Sequence, residues 1–158
     1  MLTTDQRNAM IAQLRACPEA MRAAVAGLGE TQLDTRYRDG GWTVRQVVHH
    51  LVDSHVNAYL RFKWTVAEEH PTIKTYDQDA WAEMSDSKLP VEPSLAILDG
   101  LHERWAVFLS QLPASAWSRG LVHPERGEMT LDDLLVMYAG HGINHVRQIT
   151  HLRESRGW

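Results

Sequence analysis

One cysteine among 158 residues is the first constraint on this chain. Cys17 can close no internal disulfide and cannot build a thiolate-rich zinc site, which leaves imidazole and carboxylate as metal ligands. Such sparing use of cysteine suits a reducing cytoplasm, the compartment expected here. Long hydrophobic runs are lacking as well: no apolar stretch approaches the ~20 residues of a membrane span. The segment Met1 to Asn8 is polar, without the basic-then-apolar layout of a secretory signal. Positive charge is not in excess either. Sixteen Lys and Arg against twenty Asp and Glu give a net charge of −4. Duplex DNA and anionic membrane surfaces are therefore poor partners, and a small-molecule substrate is the better expectation. Repeats and low-complexity tracts are absent. With 44% hydrophobic and 23% charged residues the composition is that of a folding globular chain, and the length suits a single domain over 1–158.

Against these absences stand nine histidines and six tryptophans. Met10, Ile11, Leu14, Met21 and Val25 recur at helical spacing between Thr4 and Leu28, with a kink or break expected at Pro18 and a stop at Gly27 and Gly29. A second helix opens where Thr43 and Gln46 form a capping box and Trp42 and Val47 a hydrophobic staple. Val44, Val47, Leu51, His55, Ala58 and Phe62 carry its apolar stripe to about Ala67. Glu68 to Pro93 reads as an irregular loop in which Tyr76 and Trp81 pack back onto the domain. A third helix covers Ser94 to Leu112 and stops before Pro113. After a polar connection, in which Gly120 to His123 makes at most a short extended piece, Thr130 caps a last helix with a stripe from Leu131 to Leu152. Four amphipathic helices and no strand series predict an all-α four-helix bundle.

His141 and His145 stand at i and i+4 on that last helix, about 6 Å apart at Cβ, a separation that lets one metal ion accept both rings. Gly140 and Gly142 bracket His141 inside the helix at a cost of roughly 1 kcal/mol each relative to alanine, which predicts a close approach there. A third ligand would come from His49, His50 or His55. Periodicity places His55 at the centre of the apolar stripe and His50 well off it, beside Asp53, Ser54 and Asn57. The spacing alone therefore favours His55 or no ligand at all, with His55 as a hydrogen-bonded core residue and His49 and His50 solvated.

The stretch from Tyr37 to His55, with its Gly41-Trp42-Thr43 box and His49-His50-Leu51, followed by Asn57 to Lys63, resembles the YfiT-like branch of the DinB superfamily. The likeness continues through Pro71 to Tyr76, Leu101 to Trp105, His123-Pro124, the His141/His145 pair and Arg156-Gly157-Trp158, most of the chain from about Pro18 onward. The resemblance implies a DinB/YfiT-like four-helix bundle, a homodimer, and a metal-dependent hydrolase with one divalent ion on three histidines. One of these precedes a leucine in the helix after the Gly-Trp-Thr box, and two form the HxxxH pair. Carried onto this sequence they are His50, His141 and His145, with His49 and His55 left out. The chain departs from the pattern in Gly142-Ile143-Asn144, where relatives can carry further histidines, and in a shorter N-terminus. Neither difference touches a ligand.

Three neutral imidazoles leave coordination positions open, the arrangement of a catalytic metal. Zinc is the expected ion, with nickel as a substitute because nitrogen-rich sites discriminate poorly among late divalent metals. The hydrolytic reading lacks an identified general base. Asp53 and Gln148, each three residues beyond a ligand, are within helical reach as base or as orienting group. A second reading, also implied by the resemblance, is an S-transferase that activates a low-molecular-weight thiol of the bacillithiol or mycothiol type. A third is a non-enzymatic metal-binding bundle. His102 is expected to be structural, His70 and His123 to be loop residues and His151 to face away from the pair. Cys17 is expected to be small buried mass, with no helix start or cationic pocket to activate it.

Overall fold

The long helices begin at caps that the sequence spells out. Thr3 and Gln6, Thr43 and Gln46, and Thr130 and Asp133 each close a reciprocal capping box, at the heads of α1 (Thr4–Val25), α3 (Val44–Ala67) and α6 (Leu131–Arg156). The short α2 (Glu30–Leu33) lies between the first two. The remaining long helix, α5 (Glu92–Ser110), starts with Pro93 in its first turn, where a missing N–H costs nothing. Gly157 ends α6 in the left-handed conformation, φ +68°. The computed structural model describes Met1–Trp158, and no helix in it is long and apolar enough to cross a membrane.

Both α1 and α3 pack against α5 and α6. The two long helices that come first in the chain therefore occupy diagonal corners of a four-helix bundle, and the last two occupy the other diagonal. The bundle expected from the apolar stripes is present, with two local corrections. The segment expected to be an irregular loop holds a short helix, α4 (Gln78–Ala82), capped by the Asp77 carboxylate, and a 3-10 turn at Ser85–Lys88. The extended piece near Gly120 is half of a hairpin, β1 (Gly120–His123) antiparallel to β2 (Gly127–Thr130), closed by Gly127 at φ +76°. Val122 exchanges backbone hydrogen bonds with Pro71 and Ile73, which fixes the chain before α4 alongside the hairpin.

Of the kink or break expected at Pro18, the break does not occur: α1 runs through it. An internal proline removes the N–H that would have bonded the carbonyl four residues back. That carbonyl belongs to Leu14, and the ring of His102 on α5 takes its place, with Nδ1 at 2.6 Å from the oxygen. The lost backbone bond is thus replaced by one between helices.

The apolar core is split. One buried cluster gathers Leu14, Ala58, Phe62, Trp105, Leu109, Leu135 and Tyr138; the other gathers Cys17, Met21, Val48, Leu51, Leu98 and Ile149. On α3, α5 and α6 the stretches between the two clusters each bring in histidines: His55, His102, and His141 with His145. A layer of imidazoles crosses the middle of the bundle.

Gly142 lies in that layer. A Cβ added there would meet the Cys17 sulfur at 2.5 Å and His55 Cε1 at 3.4 Å, whereas a Cβ on Gly140 would meet nothing within 4 Å. The close approach expected of both glycines is real at one of them. Gly142→Ala should destabilise the fold by about 1–3 kcal/mol through overpacking, and Gly140→Ala should stabilise it by about 0.5–1 kcal/mol through helix propensity. Urea denaturation of the two variants checks this, with Cys17→Ala added to Gly142→Ala expected to restore most of the loss. A Gly142→Ala protein as stable as its parent would show that α1 and α6 are not in contact there.

Candidate metal centre

The structure brings His50, His141 and His145 together: one ring nitrogen from each lies within 4.8 Å of the others. The i, i+4 spacing on α6 sets His141 and His145 edge to face with ring centroids 4.4 Å apart, and His50 reaches across from α3 to 5.4 and 5.0 Å from them. His50 is only 4% exposed although it lies off the apolar stripe. The reason is the chain before α3: the Trp42 ring folds over it, at 4.4 Å between centroids. His49, also expected to be solvated, is buried, with Nδ1 at 2.7 Å from Ser94 Oγ and Nε2 at 3.0 Å from the Leu89 carbonyl. The polar side of α3 is therefore covered by loops, and one-sided periodicity did not apply to it.

His55, the residue favoured by periodicity, lies behind the cluster with both nitrogens spent. Nδ1 is 2.8 Å from His102 Nε2, and Nε2 is 3.2 Å from His141 Nδ1. The proton positions in this chain follow from its far end. A carbonyl only accepts, so His102 Nδ1 donates to Leu14 and its Nε2 is left to accept from His55 Nδ1. His55 Nε2 in turn accepts from His141 Nδ1, which leaves the outer nitrogen of His141, Nε2, as a bare lone pair. On the neighbouring ring, His145 Nδ1 donates to Gln148 Oε1 at 2.8 Å, and its Nε2 is bare as well. These two Nε2 atoms face each other at 3.1 Å.

Two lone pairs in contact repel unless a cation lies between them. Tetrahedral coordination with bonds of about 2.0–2.1 Å places neighbouring nitrogens about 3.3 Å apart, so the donor set fits a small divalent metal. Electrostatics agree. Burial, together with the neighbouring imidazoles, pushes His50 and His141 down to about 3. Burial lowers His145 too, partly offset by its bond to Gln148. All three are neutral near pH 7, the form that binds metal.

A second group, Cys17, His55 and His102, also has ligand atoms close together. It does not make a competing centre: burial pushes the thiol up to about 12, and both nitrogens of His55 and His102 are already hydrogen-bonded. Cys17 is the inert buried residue expected. His102 is structural, and it also reaches the site through His55.

The mouth over the three rings is a cleft of about 480 Å³ lined by Trp42, Gln78, Asp79 and the three histidines among others. Gln148 orients His145. Asp53 lines neither this cleft nor the one beside it; burial and then Asp86 push its carboxyl up to about 6. The carboxylate in the mouth is instead Asp79, on the short helix that the sequence pattern did not reveal. Its one available signal was the Asp77 cap, Asp-x-x-Ala, which is a weak one.

Residues 13–149 match the family model described as the DinB superfamily. Over 157 residues, 99% of this chain and 91% of the relative, the sequence is 46% identical to a protein of Bacillus mycoides (strain KBAB4) named "Putative metal-dependent hydrolase". It is equally similar to one of the same name from Bacillus cereus (strain B4264). Among solved structures, it is similar to YfiT from Bacillus subtilis, described as "a probable metal-dependent hydrolase with an unusual four-helix bundle topology": 44% identity, TM-score 0.97, covering 100% of this chain and 91% of that one. TT2238, described as a four-helix bundle protein, shares the fold at TM-score 0.64 and 17% identity over 92% of this chain and 98% of its own.

Proposed function

This chain belongs to the DinB superfamily, and from that premise we propose that it is a metal-dependent hydrolase of a small-molecule acyl or amide substrate, with His50, His141 and His145 holding one zinc ion. The observation that supports this most is the pair of bare Nε2 lone pairs at 3.1 Å on His141 and His145, with His50 closing the triangle. When bound, a divalent metal on three imidazoles supplies a Lewis acid for an acyl oxygen and lowers the pKa of water toward about 7.

The chain's own residues supply the rest. His55 and Gln148 hold the two α6 imidazoles in the tautomer that presents Nε2 outward. Trp42 lies against His50 and keeps water off that side of the ring. Asp79 is the carboxylate in the mouth and takes up the proton released as the substrate is attacked. Asp79→Asn should therefore lower kcat about 10²–10⁴-fold with metal content unchanged; steady-state kinetics alongside elemental analysis checks this, and an undiminished kcat would place proton uptake elsewhere.

The reading is tested on the metal-loaded protein with a panel of esters and amides, with and without an added thiol. Turnover without thiol is expected. Because Cys17 is held protonated and buried, any thiol chemistry needs a thiol from outside. Consumption of an electrophile such as monochlorobimane only when both thiol and metal are present would replace this reading with thiol transfer.

A further inference from the structure

Two arginines of this chain are buried, and only one of them has a counter-ion. Arg45, 5% exposed, bonds the carboxylates of Asp34 at 2.7 Å and Glu30 at 2.6 Å. Arg61, 6% exposed, pairs with no carboxylate. Its Nη1 donates to the Tyr138 hydroxyl and its Nη2 to the Lys74 carbonyl at 2.8 Å, and its Nε has no partner. A guanidinium has five N–H donors, of which two are spent here. A buried charge without a partner is costly, and proteins pair it or present it to a ligand.

Arg61 lines a second cleft of about 420 Å³, together with His123, Tyr138 and His141. His141 and Gln78 line this cleft and the metal mouth alike, so the two adjoin. His123 is 5% exposed. Its Nδ1 accepts from the backbone N–H of Glu125 at 3.2 Å, so the proton is on Nε2, which has no protein partner. The Tyr138 oxygen accepts from Arg61, which leaves its own hydrogen free to donate. The floor of the cleft is therefore made of donors: a guanidinium, an imidazole N–H and a phenol O–H. The acidic groups at this cleft, Asp77 and Glu125, are exposed at the rim beside the exposed Arg126, and Asp77 is already engaged in capping α4.

We propose that this recess binds a carboxylate of the substrate, held by Arg61, His123 and Tyr138, with the substrate's reacting bond lying at His141 in the adjoining mouth. Arg61 is the one full charge on the floor, because burial and the neighbouring Arg61 and Arg126 hold His123 below its ordinary pKa. One charge with planar donors matches a monoanionic carboxylate better than a phosphate dianion. The substrate is accordingly a small carboxylic acid bearing the hydrolysable group a few bonds away. This rests on the histidine cluster being the reacting centre, but the recess can be probed without any reaction.

The probe is sodium butyrate, titrated into the metal-loaded protein and followed by calorimetry and by the side-chain ¹⁵N resonances of Arg61 and His123. Saturable binding is expected, with both resonances shifting, in the metal-loaded and the metal-depleted protein alike. Arg61→Met should weaken it at least 10-fold and His123→Ala about 3-fold or more, each with metal content unchanged. If Arg61→Met does not fold, His123→Ala and the resonance shifts carry the test. The proposal is overturned by the absence of saturable binding, by tighter binding of phosphate than of butyrate, or by butyrate binding that disappears with the metal and ignores both substitutions. A protein that binds butyrate through Arg61 yet hydrolyses nothing would reject the hydrolase reading and keep this one; hydrolysis without carboxylate binding would do the reverse.

Discussion

Alanine at His50, His141 and His145 together should reduce bound metal from one equivalent to none and hydrolysis to the uncatalysed rate. The expectation follows from geometry: the three rings come from two helices and meet at one point, and no other residue set offers three bare ligand atoms there. A protein reduced to two of these ligands should keep metal only weakly, so single substitutions are expected to lower affinity and the triple to abolish it. Elemental analysis after extensive dialysis, with melting temperature measured in parallel, reads both effects. Equal metal in the parent and the triple variant would remove the assignment. Loss of metal with an unchanged melting temperature would exclude a purely structural ion, since a structural site contributes its binding free energy to folding.

The metal-depleted protein should lose stability steeply as pH falls below about 6.5. Three rings with strongly lowered pKa values decide this. His50 and His141 are pushed down to about 3 by burial and by neighbouring imidazoles, and His55 is lowered well below its ordinary value by complete burial, with His102, His141, His145 and His50 beside it. The sign is fixed by which state binds the proton. Below 6.5 the unfolded chain takes up protons that the folded chain refuses, so the stabilisation is intact above 6.5 and is lost as pH falls toward the folded-state values. Each such histidine costs about 1.4 kcal/mol per pH unit once the unfolded form is protonated, so His50 and His141 alone cost about 4 kcal/mol by pH 5, and His55 acts in the same direction. That approaches the whole stability of many domains, about 5–15 kcal/mol. Urea titrations in the presence of a chelator at pH 7.5, 6 and 5 should show the midpoint collapsing. A midpoint that is flat across this range would mean that the imidazole layer is solvated.

The helical frame was legible because it depends on local chemistry. The capping boxes at Thr43 and Thr130 and the stripes that follow them act over a few residues, and the structure has them where the pattern placed them. The pairing of His141 with His145 was legible for the same reason. His50 was not, because the wheel assumes that a helix has one wet face. On α3 the polar face is roofed by the chain around Trp42 and by the segment before α5, neither of which has a periodic signature. Resemblance rather than periodicity selected His50. Asp79 escaped for a related reason: a five-residue helix carries too little repeat to stand out. Arg61 was hidden by its surroundings, since a sequence gives no sign of whether an arginine will find a carboxylate.

Pro18 carries a consequence that reaches well beyond α1. An imino acid contributes no hydrogen, and a peptide carbonyl offers none, so the series of rings that starts at the Leu14 oxygen can be ordered in only one sense. Were residue 18 to carry an amide hydrogen, that hydrogen would compete for the same oxygen, His102 could turn its bare nitrogen the other way, and the order of donors along the series would lose its anchor. At the far end, the outward atom of His141 would then be as ready to give a hydrogen as to receive a cation. A residue outside the histidine cluster thus sets the polarity of an atom three rings away.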